Sequence, residues 1–206
     1  MTPHKLLLAT RNKGKIEEFR RILEELASGE IELVGLEQFP QVPDVDETGS
    51  TFEENALLKA RQMCAITGIP AIADDSGLCV DYLKGDPGIF SARWSGLHGD
   101  DKANTAKVLR ALADVPDQGR GAHFTCVAAL ALPDGRTHVE EAIFQGWILR
   151  EPRGDQGFGY DPIFRPDGFA ISSAEMSAAA KDAISHRGKS LRAIAPFVLK
   201  MLNSLG

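Results

Sequence analysis

Pro70-Ala-Ile-Ala-Asp-Asp-Ser-Gly77 begins as a short apolar run and breaks off on two adjacent carboxylates. Ala71 to Ala73 reads as a buried strand, and Ser76-Gly77 as the turn that ends it. In open α/β sheets, ligands gather outside the carboxyl ends of strands. Asp74 and Asp75 are therefore expected at the mouth of such a crevice. Neighbouring residues on an extended segment face opposite ways, which gives the two carboxylates different tasks. A plain strand-ending turn accounts for the same residues, because Asp, Ser and Gly are common turn formers. The flanking chain has to separate the two readings.

Upstream, the apolar run Lys5 to Ala9 stops at Thr10-Arg-Asn-Lys-Gly-Lys15. A helix from about Lys15 to Ala27 follows, with Ile16, Phe19, Ile22, Leu23 and Leu26 at helical spacing. Strand, polar turn, helix is the arrangement that aims backbone N–H groups at an anion. Lys13 and Lys15 have the wrong sign for a helix N-terminus, so either an anion binds there or the turn is simply solvated. It is not a P-loop, since Gly-x-x-x-x-Gly-Lys-Ser/Thr is absent. Ile31 to Val34 reads as a short strand, followed by the irregular acidic segment Val42-Pro-Asp-Val-Asp-Glu-Thr-Gly49. Thr51-Phe-Glu-Glu54 then resembles a capping box that opens a helix to about Ala65. Lys59 and Asn55 project onto the same side of that helix as Phe52, Ala56 and Met63. A lysine in an apolar stripe must be paired or must snorkel to water, and Glu47 is placed to approach it.

Downstream, Leu78 to Leu83 reads as a further strand and Asp100 to Ala113 as a helix. Ala122–Leu132 and Thr137–Ile148 form a hairpin around Pro133-Asp-Gly135. Gly154-Asp-Gln-Gly-Phe-Gly-Tyr-Asp-Pro162 is a Gly-rich loop whose Phe158 and Tyr160 either offer a stacking surface to a planar ligand or tuck into the core. Ser172-Ser-Ala-Glu175 is a second capping-box pattern, expected to open a helix through Ala183. Ser185-His-Arg-Gly188 reads as an interhelix turn before a final helix from Lys189 to Leu202. That turn gathers Lys181, His186 and Arg187, although a polar turn needs no function.

The chain has 206 residues, long enough for one large domain or two closely joined lobes. A net charge of −6 argues against a nucleic-acid surface, but a divalent cation held by carboxylates would reconcile an acidic protein with an anionic substrate. No apolar run is long enough to span a bilayer, and the N-terminus does not read as a signal peptide. Cys64, Cys79 and Cys126 are scattered among apolar neighbours and are expected as buried thiols in a reducing cytoplasm.

Thr10-x-Asn12-x-x-Lys15, Glu47-Thr-Gly49, Phe52-Glu-Glu-Asn-Ala56 with Lys59, Ala73-Asp-Asp-Ser-Gly77, Pro87-Gly-Ile-x-Ser-Ala-Arg93, Gly157-Phe-Gly-Tyr-Asp-Pro162 and Ser185-His-Arg187 occur in this order. Together they resemble the inosine/xanthosine triphosphate pyrophosphatase family over nearly the whole chain. The resemblance implies an elongated α/β fold with a mixed sheet flanked by helices, a single domain of two lobes around a central cleft, and a homodimer. It implies an Mg²⁺-dependent enzyme that cleaves dITP, ITP and XTP to the monophosphate and pyrophosphate, cleansing the nucleotide pool.

On that resemblance, Glu47 and Asp75 are the expected metal ligands. Asp75, with Asp74, would orient or deprotonate the attacking water, and Lys59 would stabilise the developing charge. Thr10, Arg11, Asn12, Lys13, Gly14, Lys15 and Ser76 are expected around the phosphates, and Phe158, Gly159, Tyr160 and Asp161 around the base. Lys181 would hydrogen-bond base or sugar. His186 and Arg187 would donate to the 6-keto oxygen of hypoxanthine or xanthine, where adenine carries an amino group. The competing readings are a pyrophosphatase for modified pyrimidine triphosphates and a nucleotide sensor that binds without cleaving.

Overall fold

The six strands among the described residues make one sheet with the order β2-β1-β3-β4-β5-β6. These are β1 (His4–Leu8), β2 (Ile31–Gly35), β3 (Ala71–Val80), β4 (Gly121–Ala131), β5 (Thr137–Ile148) and β6 (Phe164–Pro166). The helices are α1 (Lys13–Ala27), α2 (Phe52–Thr67), α3 (Asp101–Ala111), α4 (Ala178–Ile184) and α5 (His186–Asn203). The structure, a computed structural model, describes residues 3–27 and 29–205. Its sheet is mixed: β1 runs parallel to β2 and to β3, whereas β5 and β6 are antiparallel. The chain divides into two compact units, Met1–Asp75 with Cys126–Ala142 and Arg187–Gly206, and Ser76–Thr125 with Ile143–His186.

In the first unit the strands are covered on both faces, which explains their near-continuous apolar composition. Leu7, Ala71, Ala73, Val127 and Ala129 turn to one face and pack with Ala56, Ala60 and Met63 of α2. Leu6, Leu8, Ile72, Ala128 and Leu130 turn to the other, against Phe19 and Ile22 of α1 and Leu191 and Ile194 of α5. The two-residue period of the strands thus sorts one sheet's side chains into two cores. The second unit has its own core, in which Leu78, Val108, Leu112, Phe124, Phe144 and Phe164 meet. Arg120 is buried there and donates to the carbonyls of Leu112, Ile148 and Leu149.

Three local expectations change. The apolar run of Ala71 to Ala73 does not stop at Ser76-Gly77: β3 is one continuous strand to Val80, and only Asp81–Leu83 departs from it, as a 3-10 turn. Gly77 serves close approach instead of a turn, because a Cβ there would lie 2.2 Å from Gly88 O and 2.6 Å from Ser91 Oγ. The Ser172/Glu175 capping box does form, but it closes the single 3-10 turn Ser173–Glu175. Helix α4 starts later, where Ser177 Oγ accepts from Ala180 N–H. Ser185-His-Arg-Gly188 is not a turn either: Ser185 ends α4, and His186 and Arg187 already lie in the first turn of α5. By contrast, the strand–turn–helix at the N-terminus and the two long strands around Pro133-Asp-Gly135 stand as read.

Candidate active site

Parallel β1 and β3 pair only as far as Leu8 opposite Ile72. Beyond that point β1 has ended, while β3 continues through Asp74 and Asp75. The acidic pair therefore lies past the carboxyl end of β1, beside the turn that leads into α1. That turn is organised by its own side chains. Thr10 Oγ1 accepts from Asn12 N–H at 3.2 Å, and Asn12 Oδ1 accepts from Lys15 N–H at 3.1 Å. No acidic residue stands in the first turn of α1, so its N-terminus keeps its positive field.

Asp74 and Asp75 do point to different partners. Asp74 Oδ2 receives Lys15 Nζ at 3.1 Å and both Nε and Nη2 of Arg187 at 3.3 Å. Cys126 Sγ approaches the same oxygen at 3.7 Å and accepts from Ser190 Oγ. Asp75 Oδ1 receives Lys59 Nζ at 3.0 Å, and that ammonium also donates to Glu47 Oε1 at 2.7 Å. Asn55 Nδ2 donates to Asp75 Oδ2 at 3.3 Å, while its Oδ1 accepts from Gly49 N–H at 2.8 Å. Lys59 is therefore paired within its apolar stripe and does not snorkel.

These partners push the two carboxyl groups apart. Burial alone would raise Asp74, but Lys15, Arg187 and Lys59 outweigh it and hold the group well below the ordinary carboxylate range. For Asp75 burial prevails over Lys59 and Lys15, Glu47 adds to it, and the pKa lies above its usual value. The Lys59 ammonium would be lowered by burial, yet Asp75, Asp74 and Glu47 together raise it. One carboxylate is fixed in its charged form, and its neighbour is made the more basic of the two. Burial, with Asp74 beside it, carries the Cys126 thiol up to about 12, so it stays protonated.

Arg187 is only 2% exposed, and its Nη1 bonds the buried carboxylate of Glu18. A buried guanidinium requires such pairing. The side chain expected to face a base is thus engaged by Asp74 and Glu18. Glu18, which the sequence pattern does not single out, is the buried partner that holds Arg187. Its only trace in the sequence is an acid standing in the apolar stripe of α1, one position before Phe19 and four before Ile22. Arg11 is drawn aside as well, donating to Asp44 Oδ1 and Val42 O, both at 2.7 Å. Lys13 and Gly14 open α1, with Lys13 exposed.

The second unit holds the Gly-rich loop. Asp161 is buried; its Oδ2 accepts from Phe158 N–H at 2.9 Å and from Lys181 Nζ at 2.5 Å. Lys181 Nζ also stands 5.2 Å from the centre of the Phe158 ring. Phe158 and Tyr160 differ in fate: the Tyr160 hydroxyl donates to Ser91 O at 2.8 Å and the ring belongs to the core, whereas Phe158 is only half-buried. The His186 ring stacks on Phe124 with centroids 4.7 Å apart. Ser76, the first residue of this unit, sits within β3. Among the described residues, no group of three or more His, Cys, Asp and Glu side chains is arranged to hold a metal ion.

Residues 6–197 match the model of the Ham1 family. The chain belongs to the Ham1 family. Among its Ham1 relatives, the dITP/XTP pyrophosphatase of Streptomyces coelicolor is 56% identical, covering 96% of this chain and 98% of that one. The dITP/XTP pyrophosphatase of Nocardia farcinica is 52% identical, with 95% of each chain covered. A solved HAM1 protein from Coxiella burnetii superposes with a TM-score of 0.85 at 41% identity, covering 96% of this chain and 99% of that chain. The α/β architecture of a mixed sheet flanked by helices is therefore the Ham1 fold.

Proposed function

We propose that the chain hydrolyses dITP, ITP and XTP or dXTP between the α- and β-phosphates, releasing the monophosphate and pyrophosphate. The observation that carries the chemistry is the paired cluster on β3 and α2. A buried Asp75 of raised pKa is flanked by Lys59, beside a phosphate-type turn at Lys15. The Ham1 relatives named above support the substrate class.

In this reading Thr10, Asn12, Lys15, the Gly14 backbone and the N-terminus of α1 hold the polyphosphate. Asp75 accepts the proton of the attacking water, and its raised pKa suits a base. Asp74 stays ionised and keeps Lys15 in place. Lys59 donates to the oxygen on which charge develops. Phe158 stacks on the base, and Lys181, beside that ring, is the first donor available to a 6-keto oxygen. Arg187 and His186 contribute after them, since Arg187 must give up a contact to Asp74 or Glu18 to reach a base.

Glu47 and Asp75 converge on one ammonium, which marks their site as one that calls for positive charge. Two hard carboxylates without a third fit Mg²⁺, which commonly takes one or two carboxylates, several waters and substrate phosphates. Magnesium held there would supply neutralisation of the polyphosphate charge. Both units would serve one catalytic domain, acting as a homodimer in the cytoplasm. Among the described residues no helix is long and apolar enough to cross a membrane.

The test is a panel of dITP, ITP, XTP, ATP, GTP and modified pyrimidine triphosphates, assayed for pyrophosphate and orthophosphate separately. Pyrophosphate from dITP, ITP and XTP, with ATP turned over at least about 100-fold less efficiently, is the expected result. Preference for pyrimidines, or binding without release, would replace this reading with one of its two rivals.

A further inference from the structure

The Gly-rich loop is fastened at one residue by a helix that the proposed mechanism does not use. Gly159 N–H donates to Asp101 Oδ2 at 2.8 Å, and Thr105 Oγ1, one turn along α3, lies 3.5 Å from Gly159 O. Both polar backbone groups of Gly159 thus face α3. The flanking residues are the working ones: Phe158 precedes Gly159, and Asp161, bonded to Lys181 and to Phe158 N–H, follows two positions later. Gly159 has φ +62 and Gly157 φ +73, and a Cβ on Gly157 would meet Asp161 Oδ2 at 2.1 Å. A loop of such glycines has little stiffness of its own, so its backbone around Phe158 depends on the bond from Gly159 to Asp101 as well as on the bond from Phe158 N–H to Asp161. Asp101 is not needed as the helix cap, because the neighbouring Asp100 does that by accepting from Ala103 N–H at 3.0 Å. The start of α3 carries two acids, Asp100 as the N-cap for the helix and Asp101 in the first turn for the loop.

We propose that Asp101 is a positioning residue that fixes the Phe158–Asp161 loop through Gly159 N–H and thereby sets the affinity for the base. It touches no substrate. The proposal rests on the reading of Phe158 and Lys181 as the base subsite, and it makes the base end of the site depend on α3.

Three substitutions separate positioning from helix stabilisation. Asp101→Ala removes the acceptor, Asp101→Asn keeps an acceptor at the same reach without charge, and Asp101→Glu keeps the charge but displaces the acceptor by one methylene. Each is assayed for pyrophosphate release from ITP and for inhibition by inorganic tripolyphosphate, which has no base. Amide hydrogen exchange over residues 154–161 is measured without any nucleotide. Positioning predicts a KM for ITP raised about tenfold in the Ala and Glu variants with kcat within about twofold, near-normal values for Asn, and unchanged inhibition by tripolyphosphate. It also predicts faster exchange across the loop in Ala and Glu but not in Asn. A role at the helix terminus alone predicts the reverse order, with Glu normal and Asn impaired, and would overturn the proposal. So would unaltered exchange in Asp101→Ala, or tripolyphosphate inhibition weakening in step with KM. Failure of the unmodified protein to release pyrophosphate would strike the proposed function instead, and the exchange result would still decide whether Asp101 fastens the loop.

Discussion

Arg187 shows how much one side chain can be asked to do. It is buried, and it neutralises Glu18 and Asp74 at once. Replacing it with Met takes a buried cation from Glu18 and leaves Asp74 to Lys15, and that should cost about 3–5 kcal/mol of stability. Urea denaturation of Arg187→Met measures the loss, and a change below about 1 kcal/mol would mean the pair carries no such weight. Asp75 makes a prediction of a different kind. In the metal-free protein the Asp75 carboxyl should titrate above the ordinary aspartate value of 3.8, as followed by carbon NMR. Burial and Glu47 raise the Asp75 pKa whereas Lys59 lowers it. Lys59→Met should therefore move that titration to higher pH. A titration that stays in place would show that Lys59 does not act on Asp75. In stability the two aspartates act with opposite sign. The contribution of Asp74, whose folded pKa is depressed, is present above the unfolded carboxylate pKa and is lost as pH falls through the folded one. The contribution of Asp75 is present below the unfolded value and is lost as pH rises through its raised pKa.

At the scale of the element, β3 is the instructive case. Ser76-Gly77 has the composition of a turn, yet the strand passes through it, because Ser91 Oγ accepts from Leu78 N–H and donates to Gly88 O where a side chain on Gly77 would stand. A nearby segment occupied the space, so absence of a Cβ served packing and not φ. Gly77→Ala should cost about 1–3 kcal/mol from overpacking, read as a lowered urea midpoint; a neutral result would restore the turn-former explanation. The α2 cap was legible. Thr51 Oγ1 accepts from Glu54 N–H at 3.1 Å, and the Glu54 carboxylate reaches back to accept from Ser50 N–H at 2.7 Å. The Ser172 pattern formed its box on a 3-10 turn for a related reason: local capping chemistry closes one turn whether or not a longer helix follows.

For the whole molecule, charge is the governing quantity. In the proposed reaction a chain of net charge −6 would have to accept a substrate with about four negative charges. Lys15 at the turn into α1 and Lys59 on α2 offset part of this locally. Removal of divalent metal should therefore abolish pyrophosphate release, and Mg²⁺ should restore it, whereas Ca²⁺ should not do so equally because it tolerates looser coordination. Full activity in EDTA would sink the assignment of Glu47 and Asp75. The proposed homodimer is checked by light scattering against the 22.3 kDa chain mass.

Periodicity and local chemistry were enough to read the strand–helix–strand start, the apolar faces of α1 and α2, the hairpin strands and the carboxylates of β3. These follow from contacts close along the chain, where a two- or three-to-four-residue repeat leaves a visible trace. What only the folded chain decided was pairing at a distance. Arg187 met Glu18 and Asp74, Asn55 reached Asp75, and Asp101 took the N–H of Gly159. Nothing in a residue's neighbours announces which buried charge or amide, a hundred positions away, will share its solvent-free space. That choice belongs to the packing that removes the water.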